Sequence, residues 1–162
     1  MMSKIAKLFA VLLLLSACGE ENSNLTKMVI HTSDGDVTYH LEKAITKDQL
    51  QHGLMDRKEL KNDSGMLFLL QGQSEIAMWM KDTYIPLDMI FIGQNKRIIA
   101  VYKNAKPLST ELIRPRVSEP LSAVVELNGG DIDKHNIKIG DKIDNDMIQQ
   151  VKFPINQEKS ED

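Results

Sequence analysis

The chain has 162 residues, with 20 Lys and Arg against 23 Asp and Glu, and a single cysteine. A net charge of −3 argues against nucleic acid as a partner and against a basic surface laid on anionic lipid. One cysteine excludes intrachain disulfides and cysteine-cluster metal sites.

The first predicted element is a secretory signal over residues 1–17. Lys4 and Lys7 supply a basic start, residues 8–15 an apolar middle, and Ser16-Ala17 small residues before a cut site. The apolar run is far shorter than the roughly 20 residues of a membrane-spanning helix, and Gly19, Glu20 and Glu21 stop it. Leu15-Ser16-Ala17-Cys18 resembles the lipobox of bacterial lipoproteins, in which the cysteine receives a diacylglyceryl group and becomes the first mature residue. The expectation is therefore a protein lipidated at Cys18 and anchored to the cell envelope, with the lipid membrane as its partner. By resemblance to the Gram-negative sorting rule, Gly19 in place of Asp implies the outer membrane, facing the periplasm, in a two-membrane host. Removing residues 1–17 takes Lys4 and Lys7 away and leaves 145 residues, 18 basic against 23 acidic, a net charge of −5.

Residues 18–27 form a lipidated polar tether, and residues 19–27 span about 30 Å at full extension. One β-rich domain is expected over residues 28–153, followed by a polar tail at 154–162. Met28 to Thr32 and Val37 to Leu41 are strand-like runs around Asp34-Gly35, a hairpin signal. Thr46 and Gln49 sit at the two positions of a capping box, and Gly53 stands where a helix over 47–52 would stop. Further strands are predicted at Met66 to Leu70, Ile76 to Met80, Met89 to Ile92, Arg97 to Tyr102, Ala123 to Leu127 and Met147 to Phe153. Asn104 to Pro120 holds three prolines and reads as a loop. Gly129-Gly130-Asp131 opens a second short helix that closes near Asn136. Many short strands with one or two short helices predict a mainly β domain, an antiparallel sandwich or a jelly-roll-like barrel.

Four segments carry a family resemblance: Gly53-Leu54-Met55-Asp56-Arg57, Gly65-Met66-Leu67-Phe68, the run from Trp79 to Phe91, and Val124-Val125-Glu126-Leu127 with Gly129-Gly130. Ala105-Lys106-Pro107 and Ile139-Gly140-Asp141 fit the same pattern. Over residues 28–151 the chain resembles the family called domain of unknown function 192. The resemblance implies a compact, mainly β domain of sandwich or jelly-roll type, often exported, with no established activity. Two positions depart from the family pattern: Asp82 stands where Asn is usual, and Pro120-Leu121-Ser122 where the strand is usually led by Tyr-Ser.

Trp79, Lys81, Asp82, Thr83 and Asp88 lie within ten residues. Strand alternation would send Met78 and Met80 to the core and Trp79 and Lys81 away from it. Trp79, Lys81, Thr83, Asp88 and Arg57 are therefore the candidate ligand-binding residues, lining a cleft for a small or glycan-like ligand. Glu126 interrupts an apolar strand and should be buried and paired, with Arg57 as the candidate partner; Lys81 with Asp88 is a second candidate pair. Asp88 and Glu126 are also the candidate acid–base pair if the protein is a hydrolase of envelope glycan or lipid. A bland alternative makes all these groups structural ion pairs and turn formers, and a third makes the protein a non-catalytic scaffold. Met55, Met66, Met78, Met80 and Met89 sit in apolar runs and read as core rather than copper ligands. His31 and His40 flank the hairpin and are candidates to face each other, while His52 and His135 sit at helix ends. No metal or cofactor is expected: the chain has no phosphate loop, dinucleotide fingerprint or nucleophile elbow.

Overall fold

A computed structural model describes residues 24–70 and 76–148. Cys18, the signal, most of the tether and the tail lie outside these residues, as do positions 149–153 of the last predicted strand. The described elements follow the order β1 (Leu25–Thr32), β2 (Gly35–Ala44), α1 (Lys47–His52), β3 (Ser64–Leu69), β4 (Leu87–Gly93), β5 (Ile98–Ala105), β6 (Leu121–Asn128), α2 (Asp131–Lys134) and β7 (Lys142–Asp144). All seven strands join one sheet in the order β5-β4-β6-β3-β2-β1-β7. The expectation of a mainly β, barrel-like domain with two short helices is met. One pair departs from the antiparallel pattern: β2 and β3 run parallel, because α1 and the turns after it carry the chain back to its starting end.

The sheet curls until its two edges touch. Arg97, just before β5, bridges Lys142 in β7. The Ile98 and Ile143 amides donate to the Asp141 and Lys96 carbonyls at 3.0 and 2.8 Å. Asn145 pins the closing strand, with its Nδ2 donating to Thr26 Oγ1 at 3.0 Å and to the Lys27 carbonyl at 2.7 Å. The contact covers only the start of β5, whose remaining residues pair on one side, with β4. The sequence had placed the last strand at Met147 to Phe153; Met147 and Ile148 are instead bends, and β7 is a three-residue strand just before them.

Two apolar layers form on the two faces of the curled sheet. One gathers Met28, Ile30, Tyr39, Leu41, Leu67, Ile90, Ile92, Val125, Leu127 and Ile143, with Ile132 from α2. The other gathers Phe68, Met89, Phe91 and Val124 under Leu54, Met78 and Met80. The central strands β4 and β6 therefore bury both faces, and β4 is buried at all seven positions. That is why Leu87–Gly93 reads as an almost unbroken apolar run. Gly65 lets β3 lie close to β6, since a Cβ there would come within 2.3 Å of the Glu126 carbonyl oxygen.

Locally, α1 forms as its capping box dictates. The Thr46 side chain accepts from the Gln49 amide, and the Gln49 side chain accepts from the Thr46 amide at 3.0 Å. In the hairpin, His31 pairs with Asp36 and His40 with Lys27, so the two histidines do not face each other. His31 instead lies between Asp36 at 2.7 Å and Asp144 at 2.9 Å. These hydrogen bonds, first Asp144 and then Asp36, raise the His31 pKa above its ordinary value. Met78 makes only an isolated bridge with Ile113, so the predicted strand at 76–80 is a single rung. Among the described residues no helix is long and apolar enough to cross a membrane.

Candidate functional site

Two motif-bearing loops meet on the sheet face that carries Phe68 and Met89. The Asp56 amide donates to the Asp82 carbonyl at 2.7 Å, and the Tyr84 amide to the Arg57 carbonyl at 3.3 Å. The segment after α1 is thus stitched to the segment after Trp79. The turn at Met80–Thr83 is closed by the Thr83 amide donating to the Met80 carbonyl at 3.2 Å and by Thr83 Oγ1 donating to the Lys81 carbonyl at 3.2 Å. Asp82 takes a left-handed φ of 53° in this turn. Asn and Asp are the side chains that tolerate that conformation best, which accounts for either one at this position.

The alternation expected around Trp79 holds. Met78 and Met80 are buried, and Trp79 remains 38% exposed. The Lys81 ammonium lies 5.6 Å from the Trp79 ring centroid, within cation–π range, and 3.6 Å from Asp82. Beneath them is a small pocket of about 50 Å³, lined by Trp79, Lys81, Thr83, Gly53, Phe68 and Glu126 among others. It opens beside a wider hollow of about 200 Å³ formed by Asp48, Gln51, His52, Met55, Trp79 and Lys81.

Glu126 is 4% exposed and accepts no hydrogen bond or ion pair among the described residues. Burial pushes its carboxyl up to about 8, because desolvation disfavours the charged form. The expected Arg57 partner lies elsewhere. Arg57 Nη2 donates to Glu42 Oε2 at 2.7 Å, and the pair borders an adjoining hollow of about 320 Å³, which shares Asp48, His52 and Gly53 with those beside Trp79. Register explains the difference: Glu126 stands opposite Met66 on β3 and Met89 on β4, and both neighbours are apolar.

Asp88 does not line the Trp79 pocket. It pairs in register with Leu127, whereas Glu126 pairs with Met89, so the two carboxyls point to opposite faces of the sheet. Asp88 is fully buried. Its Oδ1 accepts from the Asn104 amide at 2.7 Å, and its Oδ2 accepts from the Gly130 and Ile132 amides at 3.0 and 2.8 Å. It therefore fastens α2 and the end of β5 to β4. It does not pair with Lys81, and it cannot converge with Glu126 on one substrate.

The structure brings Trp79, Lys81, Thr83 and Glu126 together, and leaves Arg57 and Asp88 outside. It adds Gly53, Phe68, His52 and Met55, which the sequence reading did not place in the site. In the sequence Gly53 reads as a helix stop and as the start of a family segment, not as a site residue. Its φ of 52° and ψ of −131° form a glycine conformation, and a Cβ there would lie 3.2 Å from the Phe68 ring and 3.9 Å from Glu126 Oε2. No group of three His, Cys, Asp or Glu positioned to hold a metal occurs among the described residues.

Residues 29–145 match the profile of the DUF192 family, described as "Uncharacterized ACR". Two solved structures share the fold. One is a "putative transcription regulator" from Sinorhizobium meliloti 1021, 34% identical, with a TM-score of 0.71, covering 76% of this chain and 95% of that one. The other is a protein of unknown function from Novosphingobium aromaticivorans DSM 12444, 33% identical, with a TM-score of 0.70, covering 74% of this chain and 84% of that one. No curated protein matches. The chain belongs to the DUF192 family, as the motifs around Trp79 and Glu126 implied.

Proposed function

For a member of the DUF192 family built in this way, we propose a binding module, tethered to the cell envelope through an acylated Cys18, that holds a small glycan-like ligand in the Trp79 cleft. The observation that carries this reading is the half-exposed Trp79 ring beside Lys81, over a pocket floored by Glu126. A large ring left partly in water offers a stacking face for the apolar side of a sugar. Lys81, Thr83 and Glu126 supply polar groups of differing character around it. Hydrolysis of the two-carboxylate kind is disfavoured, because Asp88 and Glu126 occupy opposite faces of the sheet. The lipid anchor is supported by Leu15-Ser16-Ala17-Cys18 and its basic, apolar lead-in. Asn24, the first described residue, lies six positions after Cys18, within about 20 Å of it at full extension. A protein so anchored would present its cleft close to the membrane surface.

Trp79 is the only tryptophan in the chain, so its emission reports the site directly. Titrating the full-length protein in non-ionic detergent with glucose, N-acetylglucosamine and short oligomers of the latter should give a saturable change in that emission. No change with any of them at tens of millimolar would contradict the cleft reading. Cys18→Ser should abolish labelling by radioactive fatty acid, and persistent labelling of that variant would contradict the anchor.

A further inference from the structure

The fold gives Glu126 no evident structural task. A buried carboxyl usually has hydrogen-bond partners, and Asp88, one register step away, has three. Glu126 has none among the described residues, yet it lines the pocket beneath Trp79. The elements around it differ sharply in charge. On its face, β3 offers Met66 and Phe68, and β4 offers Leu87, Met89 and Phe91. Among the described residues, the other charged and titratable groups of the lining come from the rim: His52 from α1, and Lys81 from the turn after Trp79. Asp48 and Asp82 stand further out, in the adjoining hollow and beside the Lys81 ammonium.

The pocket has two compartments. A cavity needs about 10–15 Å³ of this kind of volume to hold one water, so the inner 50 Å³ admits a group of only a few atoms. The outer 200 Å³, walled by Trp79, is roomier. We propose that Glu126, set at the inner end of this two-compartment cleft, is its specificity-determining group: it hydrogen-bonds a carboxylate on the ligand, so that the cleft selects carboxylated over neutral sugars. The sugar ring lies on Trp79 in the outer hollow, its carboxylate enters the inner compartment, and Lys81 supplies the opposite charge at the mouth. This rests on the binding reading above and names the class of ligand for it. Because burial keeps the Glu126 proton in place at neutral pH, an incoming anion meets a donor; an ionised Glu126 would repel it.

Two probes share a ring and differ at one carbon: glucose and glucuronate. Each is titrated against the full-length protein in non-ionic detergent, with Trp79 emission as the readout, near pH 6.5 and near pH 9. Glucuronate should bind about tenfold or more tighter than glucose near pH 6.5 and should lose about tenfold near pH 9, as Glu126 gives up its proton. In Glu126→Gln the amide still donates and no longer titrates, so the loss with pH should vanish while the preference for glucuronate remains. Glucose binding as tightly as glucuronate near pH 6.5 would overturn this inference and leave the cleft reading standing. A loss of glucuronate affinity that survives in Glu126→Gln would also overturn it, since the titration would then belong to a group other than Glu126. If neither sugar alters Trp79 emission at either pH, the inference and the cleft reading fall together.

Discussion

Asp88 and Glu126 stand one register step apart on the neighbouring strands β4 and β6, both buried, and differ in what meets them. On one face of the sheet, three backbone amides converge on Asp88. On the other, Glu126 looks into a pocket walled by Phe68 and Trp79 and receives no donor among the described residues. The first carboxyl is spent on architecture: it caps a helix too short to hold itself and binds the end of β5 to the core. The second costs the fold stability whenever it ionises, and that cost has no structural return. A largely buried carboxyl that receives no donor and lines a pocket marks a site more sharply than burial or charge alone.

The comparison breaks most visibly at Asp88. Asp88→Ala leaves three inward-facing amides without their acceptor, and each hydrogen bond to a charged group contributes about 1.5–3 kcal/mol. A loss of about 5 kcal/mol is expected in urea unfolding, with α2 loosened. A loss under about 1 kcal/mol, typical of an exposed contact, would show that Asp88 is not the brace described.

Glu126 should behave in the opposite way. Its folded pKa, about 8, lies above its ordinary value of 4.5. The stability tied to its neutral form is therefore complete below about pH 4.5 and falls as pH rises through 8. Glu126→Gln cannot ionise. It should match the parent protein near pH 4.5 and exceed it by about 4 kcal/mol near pH 9. Groups that titrate elsewhere cancel in the difference between the two proteins. Parallel stability curves across that range would mean that Glu126 ionises at no special cost.

Gly53 sharpens the contrast at smaller scale. Its backbone conformation costs about 1–3 kcal/mol for a residue with a Cβ, and that Cβ would press on the Phe68 ring 3.2 Å away. Gly53→Ala should lower stability by about 2 kcal/mol and blue-shift Trp79 emission as the pocket wall moves. A change in stability with unaltered emission would separate Gly53 from the site.

Much of this was legible in the sequence where the signal is local. Trp79 and Lys81 could be placed on the outer face because Met78 and Met80 flank them, and alternation needs no distant information. The capping box at Thr46 and Gln49 lies within four residues, and it formed as read. Glu126 is buried as expected, but its missing partner and the face taken by Asp88 were not legible, for one shared reason. Which face a strand residue takes depends on its register with a neighbour far along the chain, and a slip of one residue reverses it. Nothing near Glu126 in the sequence shows that Met66 and Met89 flank it, and nothing near Arg57 shows that Glu42 lies 2.7 Å away. β7 escaped because Lys142–Asp144 offers one apolar residue, Ile143, too few for an alternation to register. The crossover that makes β2 and β3 parallel was hidden in residues 45–63, whose turns specify direction only once the sheet exists.

The most direct test of the account is the protonation of Glu126 itself. Carbon-13 NMR of the Glu126 side-chain carboxyl, assigned by its absence in Glu126→Gln, can be followed from about pH 3 to pH 10. A midpoint near 8 is expected, moved higher still when glucuronate is added. A midpoint in the ordinary carboxylate range, unmoved by the sugar, would show that Glu126 is a solvated anion and that its face of the sheet carries no proton-donating pocket.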